Sequence, residues 1–271
     1  MEIGFSSYDG ADFLWFYGAL IAACVVAGLW IPAFLRPDGK LARVEDSELL
    51  AYLAGGQPRF VESVVASLFG RRDLRVEEKK IIKSINAQGQ TQAEQALLSG
   101  VGNLSWSAAK RTLDRHADAA DRELVTRGLL MPPDERWSFR LIPVLPYFFL
   151  LLLGAFRWQA GTALGEQVGY LTLMMMLVAV FAFVRIVRFN PRTRAGDDVL
   201  DQAQESAQRL RSATTPGEAG LAVGLFGTAV LVGTPFAPLH AMRQQSSGDA
   251  GGSDGGCGGG GCGGGCGGCG G

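Results

Sequence analysis

Four cysteines near the C-terminus are the residues of this sequence whose type and spacing could carry chemistry. Cys257, Cys262, Cys266 and Cys269 are separated by four, three and two residues, all of them glycine. Four thiolates can hold one structural Zn²⁺, although only Cys266 and Cys269 have the CxxC spacing that such sites favour. The sequence therefore offers these four residues as a candidate metal site.

The tail that carries these cysteines, residues 246–271, is predicted to be disordered. Glycine loses the most backbone entropy on ordering, and no side chain here can bury enough apolar area to offset that loss. Two interpretations besides zinc binding therefore stay open. In the first, enzymes cyclise the cysteines, which requires access to a bare backbone such as this one. In the second, the tail is simply flexible, and its thiols are free, or oxidised if they lie outside the cytoplasm.

Elsewhere in the chain, residue types that usually carry catalysis are scarce. Of the two histidines, His116 falls in a charged stretch and is predicted to be solvated, and His240 follows an apolar segment and is predicted to lie at an interface. No HExxH, GxSxG, phosphate-binding or dinucleotide-binding motif occurs. We therefore predict no catalytic residues, no cofactor-binding residues and no enzymatic activity.

The fifth cysteine, Cys24, ends a tetrapeptide, residues 21–24, that is similar to the lipidation signal of bacterial lipoproteins. Such a signal needs a basic stretch before it, whereas Glu2, Asp9 and Asp12 make this one acidic. The apolar segment also continues well beyond the cysteine. We therefore interpret Cys24 as a small buried residue of a helix.

Four apolar segments predict membrane-spanning helices. Residues 13–35 carry no charge over 23 positions, and ~20 apolar residues in a helix suffice to cross a hydrocarbon core of ~30 Å. Residues 141–156 and 168–184 predict a helical hairpin. Residues 219–239 are a weaker fourth candidate, because glycine and proline interrupt them; the alternatives are a helix lying flat or one packed on other helices.

Basic residues predict the orientation in the membrane. They follow the first apolar segment and flank both ends of the hairpin, whereas residues 1–12 are acidic. The basic residues are Arg36, Lys40, Arg43, Arg136, Arg140, Arg185, Arg188, Arg192 and Arg194. The positive-inside rule then places the N-terminus outside and residues 41–140 in the cytoplasm, and the tail outside if 219–239 spans.

Residues 41–140 are predicted to form a cytoplasmic module with two copies of one helix–helix–hairpin unit. In the first copy, about 46–86, Asp46 caps a helix that ends at two glycines, Pro58 begins the next helix, and short strands follow. In the second, about 91–140, Thr91 opens a capping box, a long amphipathic helix follows, and a second hairpin is expected.

Helix–helix–hairpin units are typical of winged helices, many of which bind DNA. Residues 41–140 contain about 15 basic and about 14 acidic residues, without a basic face. We therefore predict a protein partner or a scaffolding role, and no nucleic acid. In the following linker, 185–218, Asp197 and Arg209 suit the two ends of a helix dipole, and we interpret this helix as a membrane-surface connector rather than a partner-docking element.

Several blocks of sequence, taken together, resemble a known family. They are, in order, residues 48–56 followed by Pro58-Arg59, then 128–130, 192–196 and 223–227, and last the Gly/Cys tail. They look like an uncharacterised family of bacterial membrane proteins, defined by a domain immediately upstream of a Gly/Cys-rich low-complexity C-terminus. This chain departs from the pattern at Gln57, which separates Gly-Gly from Pro. The resemblance implies a bacterial inner membrane and no known activity.

The predicted fold is therefore mainly α and integral to the membrane. Three to four transmembrane helices carry a cytoplasmic tandem winged-helix-like (α+β) module and a disordered C-terminal tail. The predicted function is non-enzymatic, with the lipid bilayer and an unidentified protein as partners. The alternative is a membrane-anchored carrier of a tail that is modified by enzymes or binds metal.

Overall fold

The computed structural model describes residues 10–40, 42–77, 80–100, 105–163, 169–187, 189–211, 215–231 and 237–248. The tail from residue 249, with its predicted disorder and its four cysteines, lies outside the described residues. The chain divides into two compact units, each made of two stretches of sequence. The first unit is Met1–Ala42 with Val125–Asp198, and the second is Arg43–Leu124 with Val199–Gly271.

The described residues form ten α-helices and one antiparallel β-hairpin. In chain order they are α1 (Gly10–Leu35), α2 (Ser47–Gly70), β1 (Leu74–Glu77), β2 (Lys80–Lys83), α3 (Gln92–Ser99), α4 (Trp106–Thr126), α5 (Pro133–Leu141), α6 (Leu145–Ala163), α7 (Gly169–Val187), α8 (Arg194–Ser206), α9 (Ala219–Phe226) and α10 (Ala237–Gly248). Short 3₁₀ turns at Ile142–Val144, Gln208–Arg211, Pro216–Glu218 and Thr228–Leu231 connect some of them.

In the first unit, α1 and α6 meet through two reciprocal contacts between a tyrosine and a glycine. Tyr17 of α1 lies over Gly154 of α6, where an added Cβ would stand 2.8 Å from its hydroxyl, and donates a hydrogen bond to the Leu150 carbonyl at 3.0 Å. Tyr147 of α6 lies over Gly28 of α1, again with 2.8 Å between hydroxyl and added Cβ. Glycine lets helix backbones approach closely, so these two positions set the spacing of the pair.

Two helical stretches of the first unit are long and apolar enough to cross a membrane. They are Pro133–Ala163, which joins α5, a 3₁₀ turn and α6, and Gly169–Val187, which is α7. Many large apolar side chains in them are exposed, among them Phe148 at 57% and Phe156 at 77%. Helix α1 is 26 residues long, and within its described residues the apolar stretch Phe13–Gly28 is shorter than these two spans.

Helices α6 and α7 correspond to the predicted hairpin of 141–156 and 168–184, with different bounds. α6 continues to Ala163, so residues 157–163, which follow the first predicted segment, are helical. Glycine costs a helix about 1 kcal/mol relative to alanine. Gly161 is buried in α6, so packing offsets that local cost.

In the first predicted unit, the elements of the structure follow the expected order. Asp46 caps α2 by accepting a hydrogen bond from the backbone N–H of Glu48 at 2.9 Å. α2 is kinked at Gly55 and Gly56, resumes at Pro58, and is followed by the β1–β2 hairpin. Gly56 has φ +66°, a backbone conformation that glycine adopts without steric cost.

In the second predicted unit, the two helices are present but the hairpin is not. Thr91 and Glu94 form the expected capping box of α3. The expected hairpin after α4 is not formed, because Pro133–Leu141 is helix α5. Pro132 stands at its N-cap, and Asp134 and Glu135 lie in its first turn, a sequence that suits a helix start. The described residues contain one hairpin, so they do not form a tandem winged-helix arrangement.

The described residues of the predicted fourth spanning helix, 219–231 and 237–239, form short elements of the second unit. α9 has eight residues and is about 12 Å long, against the ~30 Å of a hydrocarbon core. It ends at Gly227, whose φ is +91°. A 3₁₀ turn follows, and α10 begins at Ala237.

α9 is buried because it packs directly on α2. An added Cβ on Gly220 would stand 2.8 Å from the Cβ of Ser67, and one on Gly224 would stand 2.9 Å from the Cβ of Ala51. The Ser63 hydroxyl donates to the Gly220 carbonyl at 2.7 Å. The glycines that weakened the prediction of a spanning helix therefore serve a close helix crossing.

α8 occupies the linker, 185–218, in which a helix was predicted. It begins at Arg194, three residues before Asp197, and ends at Ser206. Arg209 and Arg211 therefore fall in the 3₁₀ turn that follows it rather than in its last turn.

Candidate functional site

Polar side chains from three elements of the second unit meet beside the kink of α2. They are Arg59 and Glu62 of α2, Thr228 of the last 3₁₀ turn, and His240 and Arg243 of α10. We call these five residues the α2–α10 cluster. In each helix the two residues are three positions apart and so lie on one face.

Glu62 is the buried carboxylate of the α2–α10 cluster and is 6% exposed. Arg243 Nε donates to its Oε1 at 2.6 Å, and Arg59 Nη1 lies 3.6 Å from its Oε2. A buried carboxylate is costly unless cations and hydrogen bonds compensate it. The two arginines provide that compensation and fasten α10 to α2.

Arg59 also closes the C-terminal end of α9. Its Nη1 donates to the Val223 carbonyl at 3.3 Å. An added Cβ on Gly227 would stand 2.1 Å from the same nitrogen, so a side chain there would displace the guanidinium. Carbonyls at a helix C-terminus carry partial negative charge, which favours a cation at this position.

His240 bridges the last 3₁₀ turn and its own helix. Its Nδ1 lies 3.0 Å from Thr228 Oγ1, and its Nε2 lies 3.0 Å from Gln244 Nε2. Which ring nitrogen donates depends on the tautomer. The two contacts join His240 to the last 3₁₀ turn and to the next turn of α10, which is a positioning role.

A second buried carboxylate, Glu94, joins α3 to the C-terminal end of α2. It accepts hydrogen bonds from Arg71 at 2.6 Å, Ser67 at 2.8 Å and the Gln90 backbone N–H at 2.7 Å. Burial alone would raise the pKa of Glu94, but these hydrogen bonds and the charge of Arg71 hold that pKa below its usual value.

Glu48 lies beside the same network and has a pKa shifted in the opposite direction. Burial raises the pKa of Glu48, and the charges of Asp46 and Glu94 add to the shift. A hydrogen bond from the Thr91 hydroxyl opposes it. Two carboxylates with divergent pKa values can mark acid–base chemistry, but Glu94 is only 2% exposed and is held by Arg71.

In the first unit, Thr193 joins the loop after α7 to the loop before α5. Its hydroxyl donates to the Gly128 carbonyl at 2.8 Å and accepts from the Gly196 N–H at 3.1 Å. Its own N–H donates to the Leu129 carbonyl at 3.1 Å. An added Cβ on Gly196 would stand 2.2 Å from that carbonyl oxygen, so the contact requires glycine.

The loop after α1 joins the same assembly of loops through ion pairs and backbone bonds. Asp38 pairs with Arg194 at 2.8 Å, and Arg36 pairs with Asp197. The Lys40 N–H donates to the Gly128 carbonyl at 3.4 Å. The loops that follow α1, precede α5 and follow α7 therefore meet at one end of the first unit, which we call the basic end. Its described basic residues include Arg36, Lys40, Arg127, Arg136, Arg140, Arg185, Arg192 and Arg194.

Four of the sequence blocks that carried the family resemblance meet in pairs. Residues 48–59 in α2 pack on 223–227 in α9, and residues 128–130 contact 192–196. Each pair is a close approach at glycine. These blocks thus coincide with the positions that hold each unit together.

The sequence-predicted site residues have different outcomes. Cys257, Cys262, Cys266 and Cys269, the candidate zinc ligands, lie outside the described residues. Cys24 is half-buried in α1. His116 is half-buried on α4, and its Nε2 lies 3.3 Å from the Gln92 carbonyl. Within the described ranges, no group of three or more His, Cys, Asp or Glu residues is placed to hold a metal ion.

The α2–α10 cluster was not among the residues predicted from the sequence. The available signal was Arg59 and Glu62, charged residues in the otherwise apolar second half of α2. Charged residues on a buried helix face need partners, and here Arg243 supplies one from far along the chain.

The chain was also compared with known proteins. No protein-family model matches it, and neither a curated protein nor a solved structure is significantly similar to it.

Proposed function

We propose that this chain is an integral membrane protein that holds a folded helical module at one membrane surface and acts by binding another protein. The observation that carries the proposal is the exposed apolar surface of α6 and α7, which are long and apolar enough to span a bilayer. A surface of this kind is unfavourable in water and favourable in lipid. In this proposal α1 is a third spanning helix.

The basic end supports an orientation for the proposed protein. Basic residues are retained on the cytoplasmic side, and three loops that carry them are bonded to one another. Arg43–Leu124 is inserted between two of these loops, so we place it in the cytoplasm. The N-terminus and the α6–α7 connector then lie outside. A bacterial inner membrane is the proposed location.

Binding, rather than catalysis, is proposed because the buried charges of the second unit are used to join its elements. Glu62 and Glu94 are each held by arginine. All buried side-chain nitrogens and oxygens of the described residues have hydrogen-bond partners. The exposed face of α4 mixes both signs of charge, which favours a protein partner over the phosphates of nucleic acid.

Cysteine labelling in intact cells, with an alkaline wash of isolated membranes, tests this proposal. The five native cysteines are first replaced by serine, and one cysteine is then placed at the exposed position Thr162 or Gln88. We expect Thr162→Cys to react with an impermeant reagent in intact cells and Gln88→Cys only after permeabilisation. The reverse pattern would contradict the orientation, and release of the chain by the alkaline wash would contradict membrane integration.

A second candidate function is a membrane-anchored carrier of a modified tail, favoured by four cysteines in an otherwise glycine-rich segment. Intact-mass spectrometry of the protein from its own host tests it. A loss of about 20 Da per cysteine, as cyclodehydration and oxidation would produce, supports modification. Stoichiometric zinc in the native mass supports a metal site at Cys257, Cys262, Cys266 and Cys269, and an unmodified, metal-free mass contradicts both.

A further inference from the structure

Helix α5 is an exposed element at the start of a candidate membrane span. None of its residues is buried, and it continues through a 3₁₀ turn into α6. Trp137 is 66% exposed and Leu141, one turn later on the same face, is 52% exposed. Tryptophan favours the boundary between lipid headgroups and hydrocarbon, which is where this part of the span would lie.

Arg140, in the last turn of α5, and Arg185, in the last turn of α7, are held by backbone carbonyls. Arg140 Nε donates to the Ile186 carbonyl at 3.1 Å, and the neighbouring Arg185 donates to the Gly28 carbonyl. Their hydrogen-bond partners among the described residues are these carbonyls, which carry no formal charge. Arginine stays charged in proteins, so both positive charges persist where the apolar surface begins.

Among the described residues, the carboxylates of the basic end are paired with other arginines, and those of α5 lie in its first turn. Asp38 is paired with Arg194, and Asp197 is paired with Arg36 and Arg192. Asp134 and Glu135 lie in the first turn of α5, whereas Arg140 lies in its last turn. The region around Trp137, Arg140 and Arg185 therefore has a local excess of positive charge.

We propose that Trp137, Arg140 and Arg185 bind the phosphate headgroup of an anionic phospholipid. The inference rests on the proposed membrane location of the chain. Guanidinium groups form charge-assisted hydrogen bonds to phosphate oxygens. The indole ring packs at headgroup level, and the exposed apolar residues Leu141 and Leu145 receive the acyl chains. The positive charges of the two arginines complement a phosphate, and the apolar surface that begins beside them favours a lipid over a soluble anion.

Native mass spectrometry of the full chain tests the proposal. The protein is purified in mild detergent, incubated with an equal mixture of phosphatidylglycerol and phosphatidylcholine, and the retained lipid is counted. We expect the wild type to retain phosphatidylglycerol in preference. Arg140→Gln should reduce that preference about fivefold, which corresponds to ~1 kcal/mol for one basic residue at an anionic surface.

Two further variants separate headgroup binding from a structural role. Arg140→Lys loses the planar guanidinium but keeps the charge, so it should retain most of the preference. The double variant Arg111→Gln/Arg115→Gln, on the exposed face of α4, removes more charge elsewhere and should retain all of it. Equal loss in Arg140→Lys and Arg140→Gln would overturn the proposal, because it would indicate lost packing.

The remaining outcomes are also decisive. Equal retention of the two lipids by the wild type overturns the headgroup site, while the alkaline wash independently reports whether the chain is embedded. Complete displacement of phosphatidylglycerol by added inorganic phosphate would identify a soluble-anion site and overturn the lipid assignment.

Discussion

Arg185 of α7 donates a hydrogen bond to the backbone carbonyl of Gly28 in α1. In an uninterrupted helix that carbonyl would accept from the N–H of residue 32, but residue 32 is proline and has none. The guanidinium thus replaces the bond that Pro32 removes. In lipid, proline in a spanning helix is tolerated where a neighbouring helix satisfies the freed carbonyl.

We expect Arg185→Met to destabilise the detergent-solubilised protein by about 1–3 kcal/mol, because it leaves a buried acceptor unsatisfied. The same substitution in a Pro32→Ala background should cost less, since residue 32 then supplies an N–H to Gly28. Thermal unfolding of the four variants in one detergent measures both costs. Equal losses in the two backgrounds would show that Arg185 acts through something other than the Gly28 carbonyl.

Gly220→Ala should loosen the contact between α9 and α2. Its Cβ would stand 2.8 Å from the Cβ of Ser67, and overpacking of this kind costs about 1–3 kcal/mol. Gly217→Ala is the matched control, because no contact of its added Cβ with a described residue lies within 4 Å. Unfolding midpoints of the two variants test this; a loss of the same size in both would contradict the close crossing.

Arg243→Gln should release α10 from the second unit, because Arg59, at 3.6 Å, is then the cationic partner that Glu62 keeps among the described residues. Hydrogen–deuterium exchange of residues 237–248 is expected to accelerate. Arg209→Gln provides the control, since Arg209 pairs with Glu218 at the surface, where ion pairs contribute little. Unchanged protection of α10 in Arg243→Gln would mean that the ion pair does not hold it.

Glu94 should contribute to the acid sensitivity of the protein. Its pKa is lower in the folded state, so its stabilisation is complete above the unfolded pKa of about 4.3 and is lost as pH falls through the lower folded value. We expect Glu94→Gln to cost about 3 kcal/mol at neutral pH and to lose less further stability on acidification than the wild type does. Denaturation at a series of pH values tests this, and parallel curves would contradict it.

Glu48 should show the opposite dependence. Burial raises its folded pKa, so the protonated form is favoured on folding. That contribution is present below the unfolded pKa and is lost as pH rises through the higher folded pKa. Glu48→Gln should therefore stabilise the protein at neutral pH and have little effect near pH 4. The control Glu45→Gln, at an exposed pair, should do neither.

Local periodicity was sufficient to predict α4 and its buried face. That face consists of Ala109, Leu113, Ala117, Ala120 and Leu124, and their spacing follows the helical repeat. The β1–β2 hairpin and the Thr91 capping box could also be predicted, because residues close together in sequence determine them. The alternation of Trp137 and Phe139 is typical of a strand and led to the wrong prediction of a hairpin. Pro133 and the acidic residues after it instead begin helix α5.

Segment 219–239 could not be assigned from its own residues. An apolar segment with glycines is compatible both with a membrane-spanning helix and with a buried helix that packs on another helix. The contact surface on α2 distinguishes the two, and it lies far away in sequence. The α2–α10 cluster could not be predicted for the same reason, because Arg243 and Glu62 are 181 positions apart in sequence. Patterns within one element carry no information about such a pair.

The α2–α9 crossing also has a consequence for biosynthesis. Ser63 and Gly220 are 157 positions apart, and both long helices of the first unit are translated between them. At ~5–20 residues per second, α2 waits roughly 10–30 s for its partner to leave the ribosome. During that interval the apolar face of α2 is accessible to chaperones. The second unit is therefore completed late, after α6 and α7 of the first unit have been translated.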